Sequence, residues 1–344
     1  MKAAYLTGIR HIEIREKQKP EVINPEEVLV KIKVVTICGS DIHYFKLGRI
    51  GDQVINYPFI VGHECSGIIE KKGANVKSLE IGDKVAIDPA VTCDECDQCL
   101  TGRHNTCRNL KFLGCPGEME GALQEYIIIP AKSCYKINSD TSLVDAALAE
   151  PLSIGIYSVK RAEINNNAKI GIFGFGPVGI SVMLAAKMES GRKYYVIDKI
   201  NERLTLAKKH GVKLALNFLS NTTYKQVLAI EKDGLDVVFE CCGQQEAVRE
   251  AINILKPGGK LVVIGIPEFD SWQYNASLIR RKEITIINIR RQNDCMKDAL
   301  DLIESKKVNL QSLVTHSFDL SETAVAFNWV ENYREGIIKA VINV

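Results

Sequence analysis

The stretch Gly174–Phe175–Gly176–Pro177–Val178–Gly179 constrains the fold of this chain more than any other. It follows the apolar run 169–173 (KIGIF) and precedes a second apolar run that reads as a helix through Lys187. Strand, glycine-rich turn and helix, in that order, make the phosphate-binding half of a doubly wound α/β unit. Gly174 permits the tight turn, Gly176 lets the backbone approach a pyrophosphate, and Gly179 lets the helix pack on the strand. Pro177 and Val178 then open a helix whose first N–H groups lack partners and favour phosphate charge. A glycine turn that binds no cofactor is the competing reading.

The downstream rhythm agrees with the cofactor reading. Residues 194–197, 214–218, 236–240, 260–264 and 284–289 read as buried strands, with helices over 202–210 and 244–255. Strands alternating with helices predict a parallel sheet covered on both faces. Asp198 ends the first of these strands, roughly 20 residues past Gly179, placed to accept from the adenosine ribose hydroxyls. A 2′-phosphate at that point would meet like charge, about 4 kcal/mol of repulsion at ~4 Å and an effective dielectric of 20. NAD is therefore expected over NADP, with Lys199 the one nearby cation that works against the preference. Cys241 and Cys242, at a strand end, read as small buried thiols.

The first 150 residues have another character. Short β segments at 28–35 (VLVKIKVV), 84–87 and 126–129 are punctuated by glycine and proline. Residues 91–110 show no apolar period and read as a loop or lobe. From about Asn293 the tail reads as one helix and then β structure at 339–344. A length of 344 residues suggests about two domains.

Composition removes several function classes. Forty-four bases against 42 acids leave a net charge of +2, without the basic excess of a nucleic-acid or anionic-membrane binder. No apolar run approaches the ~20 residues of a spanning helix. The opening Met1–Lys2–Ala3–Ala4–Tyr5 lacks a secretory pattern. Cysteine is the anomaly: eleven are present, an odd number, and four lie between positions 93 and 107. Metal or catalytic thiolates in a reducing cytoplasm are expected, and a disulfide framework is not.

Cys93, Cys96, Cys99 and Cys107 follow C-x2-C-x2-C-x7-C. Four thiolates on a tight loop suit a tetrahedral zinc with bonds near ~2.3 Å and no open position, a structural metal. An iron–sulfur cluster and a chance group of free thiols are the alternatives. Elsewhere, Cys38 lies in ICGSDIH, and His63–Glu64 follows Gly62. One thiolate, one imidazole and one or two carboxylates could hold a zinc that keeps a place for water or alcohol. Glu150, in LAEPL, is a further candidate carboxylate. Taken singly, such residues read equally well as a buried thiol and a surface charge.

Gly62–His63–Glu64–Cys65–Ser66–Gly67, with Gly73 beyond it, resembles the G-H-E-x2-G-x5-G signature of zinc-containing medium-chain alcohol dehydrogenases. The order of Cys38, this signature, the cysteine quartet and the glycine motif is similar to that family over essentially the whole chain. Within it, CGSDIHY at 38–44, GRIG at 48–51 and LAEPL at 148–152 resemble the sorbitol (polyol) dehydrogenase branch. The complete quartet, which the animal enzymes lack, makes the resemblance one to the microbial type.

The resemblance implies a GroES-like catalytic domain from 1–152 and 290–344, a Rossmann NAD-binding domain from 153–289, and an active site in the cleft. It implies that Cys38, His63 and Glu64 hold a catalytic zinc. Glu150 would take the remaining corner directly or through water, and which carboxylate binds at each step stays open. Ser40 and His43 would relay the alcohol proton, and Tyr44 and Arg290 would contact substrate beside Glu150. Arg203, Ile264, Gly265, Ile266 and Arg290 would lie near the cofactor. A packed aromatic and an ion-paired arginine are equally good readings of Tyr44 and Arg290. The implied reaction is hydride transfer between a small-molecule polyol and NAD, giving the ketose. Threonine or butanediol on the same machinery, and a non-catalytic dinucleotide-binding relative, are the alternatives. A homo-oligomer is also implied, tetramer before dimer, through pairing of Rossmann edge strands.

Overall fold

The computed structural model describes residues 1–22, 24–220 and 223–344. The chain forms two compact units, Met1–Pro151 with Asn293–Val344, and Leu152–Gln292.

The first unit is built on the strand Glu27–Thr36, which pairs antiparallel with Glu64–Lys72, Tyr126–Pro130 and Lys339–Asn343. Lys84–Ile87 and Cys134–Lys136 extend this sheet on one side, and Val314–Asp319 on the other. The apolar–basic alternation of Glu27–Thr36 survives only in its middle, where Lys31 and Lys33 flank buried Ile32. Both ends are buried on either face, partly because Val34 packs with Ala147 and Val341 under the short helix Leu143–Ala147. The main core of the unit gathers Val28, Val30, Ile32, Ile60, Leu123 and Phe327. The expected lobe at 91–110 is real but contains two short turns of helix, Asp97–Leu100 and His104–Thr106.

The tail departs from its sequence reading. It holds two helices, Met296–Glu304 and Thr323–Glu331, and a strand, Val314–Asp319, before the final Lys339–Asn343. The second helix buries Thr323, Ala326 and Phe327, a helical spacing diluted by β-branched and amide residues. A capping box between Asp319 and Glu322 leads the chain into it.

The second unit is a six-stranded parallel sheet. Its spatial order is Leu214–Asn217, Lys193–Asp198, Lys169–Phe173, Leu235–Glu240, Leu255–Val263, Thr285–Asn288. Numbered along the chain this is 3-2-1-4-5-6, the Rossmann order, and right-handed crossovers place its helices on both faces. The core joins Phe173, Tyr195, Val238, Ile252 and Leu261.

Two local expectations fail here. The last strand is not buried: Thr285 and Asn288 are exposed and the isoleucines between them half-buried, because it is an edge with a partner on one side only. Nor are Cys241 and Cys242 buried alike, since Cys242 is exposed and Cys241 half-buried. The strand stops at Glu240, whose Oε1 accepts the N–H groups of Cys242 at 2.8 Å and Gly243 at 2.7 Å. Cys242 Sγ donates to the same oxygen at 2.9 Å. Among the described residues no helix is long and apolar enough to cross a membrane.

Candidate functional site

Cys38 is the N-cap of the helix Gly39–Leu47, which carries Ser40, Asp41, His43 and Tyr44 in its first two turns. Glu64 opens the strand that lies beside Glu27–Thr36, directly opposite Thr36, and His63 immediately precedes it. The ligand atoms of Cys38, His63 and Glu64 all fall within 4.8 Å of one another. One soft and two harder donors at that spacing fit a single zinc with a position left over.

Glu150 stands outside this tight trio, in the first turn of the helix Ala149–Ala162, and is 5% exposed. Burial pushes its carboxyl up to about 7, opposed by His63 and reinforced by Glu64. Ser40 and His43 are half-buried on the helix that Cys38 opens. Tyr44 is 4% exposed, with its hydroxyl 3.5 Å from Gln53 Oε1.

The cysteine quartet closes on itself. Sγ separations are 3.6 Å for Cys96–Cys99, 3.9 Å for Cys96–Cys107 and 3.4 Å for Cys93–Cys107. A tetrahedron with ~2.3 Å zinc–sulfur bonds has edges of about 3.8 Å. The set fits one ion and leaves no room for a multi-iron cluster.

In the Rossmann unit, Gly174 adopts φ +86° at the turn after Lys169–Phe173, a left-handed value that suits glycine. A Cβ on Gly179 would stand 2.0 Å from the Gly174 carbonyl oxygen, so helix and turn touch through bare backbone. Gly176 caps the helix Pro177–Ala186, and a Cβ there would meet only the Arg203 guanidinium, 3.3 Å away. The buried Asp198 carboxylate accepts the N–H groups of Phe175 at 2.6 Å and Ile200 at 2.8 Å. Arg203 Nη1 lies 3.7 Å from the same carboxylate. Ile264 and Gly265 donate their N–H groups to the Glu240 carbonyl, and Ile266 is 38% exposed just beyond. Arg290 is exposed, past the edge strand and within the Rossmann unit.

Comparison with known proteins bears on what this geometry serves. Residues 24–139 match the family model for the alcohol dehydrogenase GroES-like domain, and residues 177–305 that for zinc-binding dehydrogenases. A sorbitol dehydrogenase of Bacillus subtilis is 35% identical over 99% of this chain and 97% of its own length. The chain belongs to the zinc-binding alcohol dehydrogenase family. It falls in the polyol dehydrogenase branch, among oxidoreductases that act on CH–OH donors. A D-xylulose reductase of Saccharomyces cerevisiae is 34% identical over 94% of this chain and 92% of its own. Among solved structures, an alcohol dehydrogenase from Escherichia coli complexed with NADH superposes with a TM-score of 0.91 at 28% identity. That match covers 100% of this chain and 99% of the other.

For a dehydrogenase of this family, two residues near the metal trio were not singled out from sequence. Asp41 Oδ2 accepts the Cys38 N–H at 2.9 Å, and Oδ1 accepts the Gly62 N–H at 3.1 Å. The same Oδ1 lies 3.5 Å from His63 Nδ1, so one carboxylate braces two ligand-bearing segments and orients the imidazole. Its position three residues past an N-cap is the capping-box spacing, a signal available in the sequence. Lys339 is the other, 1% exposed on the last strand. Its Nζ donates to Glu64 Oε2 at 2.5 Å and to the Ile37 carbonyl at 3.1 Å. Burial works against its charge, but Glu64 and Cys38 outweigh burial and hold the ammonium above its usual range. Thr36 Oγ1 donates to the same Glu64 oxygen. The only sequence hint was a lone lysine inside an apolar strand.

Proposed function

We propose that this chain oxidises a polyol to its ketose with NAD, using one catalytic and one structural zinc. The observation that carries the reading is the convergence of Cys38, His63 and Glu64 at the start of the helix bearing Ser40, His43 and Tyr44. Cys38, His63 and Glu64 would hold the catalytic zinc, and Glu150 would take the remaining corner by water or directly. Cys93, Cys96, Cys99 and Cys107 would hold the structural one. When bound, zinc supplies a Lewis acid for the substrate hydroxyl and NAD the hydride acceptor.

The chain's own groups do the rest. Ser40 Oγ accepts the proton released by the substrate hydroxyl, and the His43 ring passes it on. Their three-residue spacing puts both on one helix face. The Gly174–Gly179 turn admits the pyrophosphate at the helix start, with Pro177 and Val178 leading that helix, and Arg203 adds positive charge. Asp198 reads the ribose and disfavours a 2′-phosphate. Ile264 and Gly265, whose N–H groups donate to the Glu240 carbonyl, and Ile266 beyond them would border the nicotinamide, and Arg290 and Tyr44 would meet the substrate's further hydroxyls.

Two coarser readings extend the proposal. The open edge strand Thr285–Asn288 and the helix Ala276–Lys282, which buries no residue, support a homo-oligomer built edge to edge, a tetramer or a dimer. Free thiols at all eleven cysteines support a reducing cytoplasm.

The deciding experiment is NADH appearance at 340 nm over sorbitol, xylitol, iditol, galactitol and erythritol, beside threonine, 2,3-butanediol and 2-propanol. Each is run with NAD and with NADP. Turnover of one polyol stereochemistry with NAD is expected. Oxidation of threonine or simple alcohols alone would overturn the substrate, and a preference for NADP would overturn the role of Asp198.

A further inference from the structure

The Tyr44 hydroxyl belongs to a polar group whose other members have no role in the reading above. It lies 3.5 Å from Gln53 Oε1 and 3.8 Å from Cys115 Sγ. Gln53 Nε2 in turn donates to Glu118 Oε1 at 3.0 Å and lies 2.9 Å from Cys115 Sγ. Three separate segments meet here: the helix that Cys38 opens, the short strand Gln53–Val54, and the loop after Lys111–Phe112.

That loop lies against the backbone that presents His63. The Phe112 and His63 rings are 5.3 Å apart, and a Cβ on Gly114 would stand 2.9 Å from the Gly62 carbonyl oxygen. The polar group therefore flanks the metal-binding residues.

Its hydrogen bonds have a direction. A carboxylate only accepts, so Gln53 must turn its NH2 group to Glu118 and its carbonyl oxygen to Tyr44. Tyr44 has one proton and directs it to Gln53 Oε1. Towards any further group, its oxygen then acts only as an acceptor. A substrate hydroxyl can donate to that oxygen, which also lies 3.8 Å from Cys115 Sγ. A carboxylate or phosphate cannot, and it would also face the charge of Glu118.

We propose that Gln53 and Glu118 are specificity-determining residues, which make the Tyr44 wall read a neutral hydroxyl and reject an anionic substituent. The substrate is then an uncharged polyol, not an aldonate or a polyol phosphate. This rests on the polyol reading of the same site.

The test compares kcat/KM for matched substrates with NAD: sorbitol against gluconate and sorbitol 6-phosphate, and xylitol against xylonate and xylitol 5-phosphate. The wild type should favour the neutral member by about 100-fold or more. Glu118→Gln lets the Gln53 amide turn over and should narrow the gap to within about tenfold, chiefly through the KM of the anions. Gln53→Leu, which removes the bridge, should narrow it too, and Glu118→Asp should keep it wide. General damage to the fold lowers all the rates together and leaves the ratio where it was. A wild type that takes the anions as readily as the polyols overturns the proposal, as does an unmoved ratio in Glu118→Gln and Gln53→Leu. Polyols oxidised with an unmoved ratio would sink this inference alone. Turnover of simple alcohols only would sink the polyol reading and this inference with it.

Discussion

Lys339 does for Glu64 what no neighbour in sequence could do. Two carboxylates and a thiol crowd a buried region, and this one ammonium, itself 1% exposed, holds a carboxylate oxygen at 2.5 Å. Removing one partner of such a pair leaves the other charged and unsolvated, at a cost of about 3–5 kcal/mol. Lys339→Met should therefore lower stability in urea by roughly that amount and loosen zinc at the trio, whereas Lys339→Arg should keep both. Urea melts with metal analysis of each variant decide it, and wild-type stability in Lys339→Met would show that the pair contributes nothing. The proposed relay residues are a different case, since their task would be to move a proton. Ser40→Ala and His43→Ala should slow turnover by about 10²–10⁴-fold while zinc content stays at the wild-type level. Loss of zinc along with activity would mean that these side chains shape the metal site instead. Cys38, His63 and Glu64 stand out in the sequence only through the order of motifs that resembles the family, because each alone reads equally well as a buried thiol or a surface charge. Lys339 does not stand out at all, because a lysine in a strand ordinarily faces water.

At the scale of elements, the glycine turn shows three glycines that tolerate a methyl group unequally. A Cβ on Gly179 would collide with the Gly174 carbonyl oxygen at 2.0 Å, so Gly179→Val forces helix and strand apart. A loss of about 1–3 kcal/mol or more is expected in chemical denaturation. Gly176 faces open space apart from the Arg203 guanidinium at 3.3 Å, which can give way. Gly176→Ala should leave stability nearly unchanged and weaken NADH binding by about tenfold, read by fluorescence titration. Equal effects of the two substitutions on folding would contradict this division of labour. The parallel strands were legible element by element, since each is a short apolar run bounded by breakers. The exposure of Thr285–Asn288 was not, because IleIle flanked by polar residues reads the same at an edge as at the centre. Among the described residues no seventh strand lies beside it, and that makes the difference.

At the scale of the whole molecule, the chain leaves the first unit after Pro151 and returns to it at Asn293. The point of return is held by the cysteine lobe. Asn293 Nδ2 donates to the Gly102 carbonyl at 2.9 Å, Asn105 N–H donates to Asn293 Oδ1 at 3.2 Å, and His104 lies 3.0 Å from Asp294. A metal held by the lobe would thus steady the re-entering backbone, and the two proposed zinc sites should fail in different ways. Cys99→Ser should keep the catalytic zinc, lower the melting temperature and speed hydrogen exchange around residues 293–296. Cys38→Ser should lose the other zinc and the activity with little change in melting. Metal analysis with exchange mass spectrometry tests both, and unchanged exchange in Cys99→Ser would detach the lobe from the re-entry.

What the sequence alone determined is whatever lies within a few turns of chain. The quartet and the glycine turn with Asp198 are local patterns whose expected chemistry follows from residue type and spacing, whereas the Cys38 and His63–Glu64 segments take theirs from the resemblance to the family. Their assignment to one family came from the order of these patterns. The tertiary structure decided the pairings between distant segments. Glu64 and Lys339 are separated by 275 positions and Tyr44 and Cys115 by 71, yet each pair meets inside the first unit. Periodicity reports which face of an element is apolar, but not which neighbour that face receives. Neighbours follow from strand order and register, which are set by the packing of the whole core, so the partners that charge and orient the site appear only once the sheet is formed.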